Sequence, residues 1–454
     1  MSLAVKRSPA SSFGRSFICP NLSGGRACRA HLLPAGTFEA VSTEPADETE
    51  GDDIIVAPEP LPILELSAPV PVPLDQPAAL APLIAAIAAG AGPVAIDAER
   101  ASGYRYGQRA YLVQLRRDRA GTWLLDPVGL PDMSELNTAI SGHEWVLHAA
   151  SQDLPCLAEL QLRPTRLFDT ELGARLAGYE RVGLAAMVET VLGYNLEKGH
   201  SSADWSQRPL PDAMLRYAAL DVEVLVALRD HLEHVLREQG KWDWAQEEFA
   251  ALVAAPPTPP RVEPWRRTSG IHRVRGRRQL ANVRALWELR DATAQQRDIA
   301  PGRVLPDAAI IEAALRSPAT LDELVTLPVF SGRSNRRKAA AWLGALQQSA
   351  ALPDDALPAP TAPGDAPPPA HRWSERDPVA AHRLAAARAA VLQIAAEHEL
   401  PAENLVEPAV VRRLAWSPPQ PLDAAAVRAA MAAAGSRSWQ IELTAEALAT
   451  ALAW

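Results

Sequence analysis

The chain has 454 residues with 45 basic and 54 acidic side chains, a net charge of −9, and 48% apolar content. This is the make-up of an ordinary globular chain of about three domains. Cys19, Cys28 and Cys156 are too few for a disulfide scaffold, no Cys/His cluster has zinc spacing, and Pro82 interrupts the longest aliphatic run, around Leu80 to Ala91. A secreted disulfide-rich protein, a zinc protein and a membrane protein are therefore excluded.

Residues 1–60 mix Ser, Gly, Pro and Arg before turning acidic, which predicts a disordered N-terminal tail. Its five basic residues all precede the first acid, Glu39, in the manner of a transit peptide, but a flexible tail is the simpler reading. From 61 to 255, short apolar runs in "PVAIDAE", "AYLVQLRR" and "TWLLDPV" predict three successive strands. A helix over "DMSELNTAISG", a strand over "EWVLHAA" and a helix over "SQDLPCLAELQL" follow. "TRLFDTELGARLAG" adds a strand and another helix, with Asp169 as the helix N-cap. Residues 211–240 read as one long amphipathic helix carrying Met214, Tyr217, Leu220, Asp221 and Val224 along one side. The expected fold is a mixed α/β sheet.

A Pro/Arg-rich linker is expected over 256–276, then a helical domain over 277–350. Leu280, Val283, Leu286 and Trp287 form an apolar stripe, Asp307 can begin a second helix, and Thr320 with Glu323 forms a capping box opening a third. A second Pro-rich linker (351–377) leads to another helical domain (378–454), in which "ENLVEPAVVRRLAW" echoes "GRVLPDAAIIEAAL". Charge divides along the chain: 61–255 carries −10 and 261–350 carries +8. An acidic body beside a basic module suits a cation-collecting enzyme joined to a polyanion-binding neighbour.

Asp97 and Glu99, two apart on a strand, project from the same face. Asp153 lies just inside the helix after a later strand, and Tyr217 is four residues before Asp221 on one helix face. Four carboxylates meeting where strands end suit hard divalent cations such as Mg²⁺ or Mn²⁺. Two such ions roughly 4 Å apart can clamp a phosphodiester. A phenol with an ordinary pKa of about 10 is no base at neutral pH, so Tyr217 would orient water.

These segments resemble a known family. "AIDAE", "WVLHAASQDL" and "YAALDVEVL" are similar to the three exonuclease motifs of the DEDD superfamily, in the subgroup with Tyr in the third motif. "LEKGHSSADWSQRPLP" resembles the segment before that motif in ribonuclease D, and residues 287–330 resemble the HRDC domain. The last 80 residues match a more divergent HRDC-like domain. The resemblance implies a ribonuclease-H-like 3′-5′ exonuclease domain followed by two all-α HRDC-like domains. It implies two divalent ions on Asp97, Glu99, Asp153 and Asp221, with Tyr217 positioning water. Ala98 stands where many relatives have Thr, which leaves both carboxylates in place.

The function expected is metal-dependent trimming of RNA 3′ ends, including tRNA precursors, with release of nucleoside 5′-monophosphates by a cytoplasmic monomer. Lys198, Ser201, Ser202, Trp205 and Arg208 are candidates for a phosphate contact or base stacking, with surface or packing roles as the alternative. Arg333, Arg336, Arg337 and Lys338, and the basic run from Arg261 to Arg278, suit phosphate contacts. Gln114 and Tyr104 are expected to flank the cleft, His148 to be a core histidine and Cys156 an apolar filler. A DNA exonuclease with the same carboxylates is the alternative. A non-catalytic binder would lack a carboxylate, and an ATP-driven helicase would need a G-x-x-x-x-G-K-[ST] loop; neither condition is met.

Overall fold

The computed structural model describes residues 60–197, 199–200, 202–361 and 367–453. The expected N-terminal tail, Lys198 and Ser201 lie outside the described residues. No helix among those described is long and apolar enough to cross a membrane.

Five strands form one mixed sheet: β1 (Ala91–Arg100), β2 (Ala110–Asp118), β3 (Gly121–Leu125), β4 (Glu144–Leu147) and β5 (Arg166–Asp169). Their order is β3-β2-β1-β4-β5. β1, β2 and β3 pair antiparallel as a meander, whereas β4 and β5 add parallel to the other side of β1. Parallel addition needs crossovers: α2 (Ser134–Ile140) lies on the path from the meander to β4 and α3 (Leu154–Glu159) joins β4 to β5, while α1 (Leu80–Ala89) precedes β1 and α4 (Thr170–Leu176) follows β5. β1 is therefore central; its pairing with β4 covers only Val94 and Ala95, so its carboxyl end, carrying Asp97 and Glu99, runs past β4 and is paired with β2 alone. The register slips between Glu99 and Arg100, a bulge of the kind that re-aims side chains next to active sites.

After the short α5 (Leu184–Met187), the long helix expected over 211–240 is two helices, α6 (Asp212–Glu223) and α7 (Leu225–Glu238). The two meet at Val224, whose backbone departs from ideal helix values while staying right-handed (φ −97°, ψ −16°). The reason is tertiary. α6 buries Met214, Leu215 and Ala218 with Leu112 and Leu124 on the meander side. α7 buries Leu225, Leu228, Leu232 and Leu236 with Val146 and Phe168 on the parallel side. Both patches lie on one face of the sheet, and its twist turns the two halves too far apart for one straight helix to follow. Ion pairs fix each half: Glu223 meets Arg116 at 2.9 Å, and Arg229 meets Glu144 at 2.7 Å.

α8 (Trp242–Ala254) closes the sheet domain, and the segment that follows is more than a linker. Trp265 and Val274 are buried in the core of the next, all-helical module. That module comprises α9 (Arg277–Arg297), α10 (Pro301–Val304), α11 (Asp307–Arg316), α12 (Leu321–Thr326), α13 (Pro328–Ser331), α14 (Arg333–Arg336) and α15 (Ala339–Ala350). The Thr320 hydroxyl accepts from the Glu323 amide at 3.2 Å as the capping pattern predicts, though the Glu323 carboxylate returns to the amide of Ala319.

The last module holds α16 (Trp373–Arg376), α17 (Pro378–Glu397), α18 (Ala402–Leu405), α19 (Pro408–Trp416), α20 (Ala424–Ala433) and α21 (Ser438–Leu452). It shares one continuous apolar core with α4, α7 and α8. Trp244 stacks on Trp439 with centroids 5.0 Å apart, and Glu248 accepts from the Trp439 indole at 3.2 Å. This module is built onto the sheet domain, and deleting it would expose that domain's core.

Candidate active site

Asp97, Glu99 and Asp221 come together, each offering a carboxylate oxygen within 4.8 Å of the others. β1 supplies two because residues two apart share a face, and α6 lowers the third onto that face. Glu99 and Asp221 are almost fully buried, as is Asp153. Burial first, and then the charges of Asp97, Asp221 and Asp153, push the Glu99 carboxyl up to about 10. Burial and the Asp97 charge likewise raise Asp221, and burial raises Asp97. Like charges confined without water oppose ionisation, so the cluster calls for cations.

The fit of divalent cations is tested by what is left unsatisfied. Asp221 Oδ1 is buried without a hydrogen-bond partner. Gln114, directly opposite Asp97 in the β1–β2 ladder, is fully buried with both amide atoms unpartnered. Buried polar groups are rarely left so, and oxygen-rich donors of this kind fit hard ions. Gln114 thus lies inside the site, closer to the chemistry than a residue flanking the cleft.

Asp153 stands outside the triplet. Its carboxylate pairs with Arg100 at 3.2 Å, and Arg100 also donates to the Gln152 carbonyl at 2.7 Å. Asp153 still feels the cluster: burial, then Asp97, raise it to about 8 against the opposing pull of Arg100. Its placement depends on Asp169. One Asp169 oxygen accepts from the amides of Glu171 (2.9 Å), Leu172 (3.2 Å) and Ala149 (3.0 Å), and the other from Ala150 (2.9 Å). The predicted N-cap is therefore also the anchor of the turn leading to Asp153. Ala149 sits there in left-handed geometry (φ 58°, ψ 48°), unfavourable for a residue with a Cβ and held by these bonds.

Tyr217 lies one turn before Asp221. Burial and then the Asp221, Glu99 and Asp97 charges raise its phenol well above its ordinary value, so it keeps its proton. Trp205 and His200 pack against the Tyr217 ring at 6.3 and 5.7 Å. His148 directly follows β4, with Nδ1 2.9 Å from the Thr170 hydroxyl, and burial lowers it to about 4, leaving it neutral. Cys156 is a buried filler whose thiol burial pushes up to about 12.

Two expected substrate contacts are corrected. Trp205 is fully buried, donating its indole N–H to the His200 carbonyl, so its ring has no face free for a base. Arg208 grips Asp126 with two nitrogens at 2.5 and 2.7 Å and also donates to the carbonyls of Tyr111 and Trp205. Its donors are spent on the fold. The same holds for Arg277 and Arg278, which bind backbone carbonyls between Ser349 and Pro358. Ser202 is exposed, as are Arg333, Arg336 and Arg337 on or just after α14, while Lys338 is half-buried.

Three family models match this chain: 3′-5′ exonuclease over residues 71–237, HRDC domain over 279–346, and 3′ to 5′ exonuclease C-terminal domain over 366–452. Residues 366–452 overlap the module expected to be HRDC-like. Ribonuclease D of Acidiphilium cryptum is 37% identical over 234 residues, 50% of this chain and 58% of that protein. Ribonuclease D of Escherichia coli K12 is 31% identical over 278 residues, 59% of this chain and 72% of that protein. Its crystal structure, described as that of an exoribonuclease involved in structured RNA processing, matches at TM-score 0.63 and 27% identity over 84% of this chain and 98% of its own. A protein of Bifidobacterium adolescentis matches at TM-score 0.79 and 38% identity over 87% and 100%. The chain spans a little over half the length of several curated relatives it matches.

Proposed function

Because the chain belongs to the ribonuclease D family, we propose that it trims RNA from the 3′ end, releasing nucleoside 5′-monophosphates. The observation that carries this reading is the buried Asp97–Glu99–Asp221 triplet at the carboxyl end of the central strand. Asp97, Glu99 and Asp221, joined by Asp153 once it leaves Arg100, would hold two Mg²⁺ or Mn²⁺ ions; these supply an acidified water and charge opposite the leaving oxygen.

The chain's own residues do the rest. Without cations, the carboxylates repel the phosphodiester. Tyr217, protonated and held by its packing, orients the attacking water and takes no proton from it. His148, neutral, neither attracts nor donates charge. Asp169 holds the turn that presents Asp153. The exposed Arg333, Arg336 and Arg337, with Lys338, contact phosphates of a structured RNA body such as a tRNA precursor, positioning it without reading its sequence. The single-stranded 3′ tail then enters the acidic cleft of a protein acting as a cytoplasmic monomer.

The test is digestion of a 3′-extended tRNA and a matched DNA oligonucleotide, with and without chelator. Metal-dependent release of 5′-mononucleotides from the RNA is expected. Activity confined to the DNA, or release of 3′-phosphates, would overturn the proposal.

A further inference from the structure

The loop joining β1 to β2, residues 101–109, begins two residues after Glu99, and the first helical module holds it from outside the sheet domain. The Ala300 amide donates to the Tyr104 carbonyl at 3.0 Å, and Arg303 Nε donates to the Gly103 carbonyl at 2.7 Å. The Arg303 guanidinium also covers the Tyr104 ring at 4.2 Å. The Tyr106 hydroxyl donates to Asp291 at 3.1 Å, its amide donates to Asp298 at 3.3 Å, and its ring packs on the module's core. Arg105 and Arg109 approach the same Asp298 carboxylate at 3.7 and 3.8 Å.

Asp298 is a poor choice for helix stability. It caps the carboxyl end of α9, where the helix dipole disfavours an anion. It also holds left-handed geometry (φ 45°, ψ 53°), which Gly or Asn would adopt at lower cost. What its carboxylate gains is the loop: one amide and two guanidinium groups. The ion pairs are too long and exposed to contribute much alone. The grip comes from their combination with two backbone hydrogen bonds and the Tyr106 anchor.

The loop reaches the reaction centre by two routes. Its first side leads directly from Arg100, which pairs with Asp153. In the other direction, Arg105 Nε donates to the Ser206 hydroxyl at 2.8 Å, and the neighbouring Trp205 packs against Tyr217. We propose that Asp298 and Arg303 are positioning residues for hydrolysis: the HRDC module latches the 101–109 loop and so sets the geometry of Asp153 and Tyr217, whether or not it touches the RNA. This rests on the exonuclease reading and adds to it a second task for the module.

The test uses the full chain carrying Asp298→Asn with Arg303→Met. Both changes lie on the module's surface, and Asn suits the helix end, so folding is preserved. Hydrogen exchange is measured over residues 101–109, together with kcat and KM on a short single-stranded oligoribonucleotide and on a 3′-extended hairpin. The latch predicts faster exchange in the loop and an equal fall in kcat on both substrates, about tenfold, with KM on the short one unchanged. Faster exchange with kcat unchanged on the short substrate, or a loss confined to the hairpin, would overturn it. The parental chain on the same short substrate is the control: if it shows no metal-dependent hydrolysis, the exonuclease reading itself has failed.

Discussion

Asp97→Asn and Asp221→Asn are each expected to remove RNA hydrolysis, by about 10³-fold or more, while the chain still folds. Asn keeps the shape of the side chain and deletes the charge, so the packing of β1 and α6 is unchanged. The cluster loses a ligand it cannot replace, because Glu99 supplies its own oxygens and Asp153, once it leaves Arg100, is itself one of the four ligands. Tyr217→Phe leaves every carboxylate in place. It should lower the rate without weakening ion binding, since the ring packing against Trp205 and His200 is retained. Rates on a 3′-labelled RNA, with circular dichroism as the folding control, check both. A parental rate in either Asn variant would remove that carboxylate from the mechanism.

The second large effect is on stability. Asp153 is raised to about 8 and Glu99 to about 10, with Asp97 and Asp221 also raised, from ordinary carboxyl values of about 4. Between the unfolded and folded values, the folded chain holds protons that the unfolded chain has released. Stability of the metal-free protein therefore falls as pH rises from about 4 towards 8 to 10, and the penalty is complete above that interval. In chelator, the melting temperature should drop by at least about 4 °C between pH 5 and pH 8.5. Mg²⁺ or Mn²⁺ should restore it at the upper pH and do little at the lower. A melting temperature that stays flat or climbs over this range in chelator would contradict the buried-acid account.

The features legible in the sequence were local. Residues two apart on a strand share a face, so Asp97 and Glu99 could be paired from spacing alone. Tyr217 and Asp221 could be paired by one helical turn, and Asp169 as a cap followed from its place before α4. Partners distant in sequence were not legible. Nothing near Arg208 announces Asp126, and nothing near Arg100 announces Asp153, because ion pairs between elements follow from how the sheet closes. Trp205 looked like a stacking platform for the same reason. Its neighbours Ser202 and Arg208 are polar, and only the fold shows that α6 and β2 bury its ring. The break at Val224 carries no Pro or Gly signal; it arises because α6 and α7 cover different halves of one twisted sheet face. The apolar periodicity of the last module marks helices, but not that their core continues into α4, α7 and α8.

The central claim is that the carboxylates at the end of β1 gather divalent cations. Equilibrium Mn²⁺ binding to the metal-free parental chain and to the Asp97→Asn, Asp221→Asn double variant tests it most directly. The account predicts two ions on the parental chain, lost in the variant, with RNA hydrolysis returning as those sites fill. Equal binding by both chains, or undiminished hydrolysis by the chelated parental chain, would contradict it.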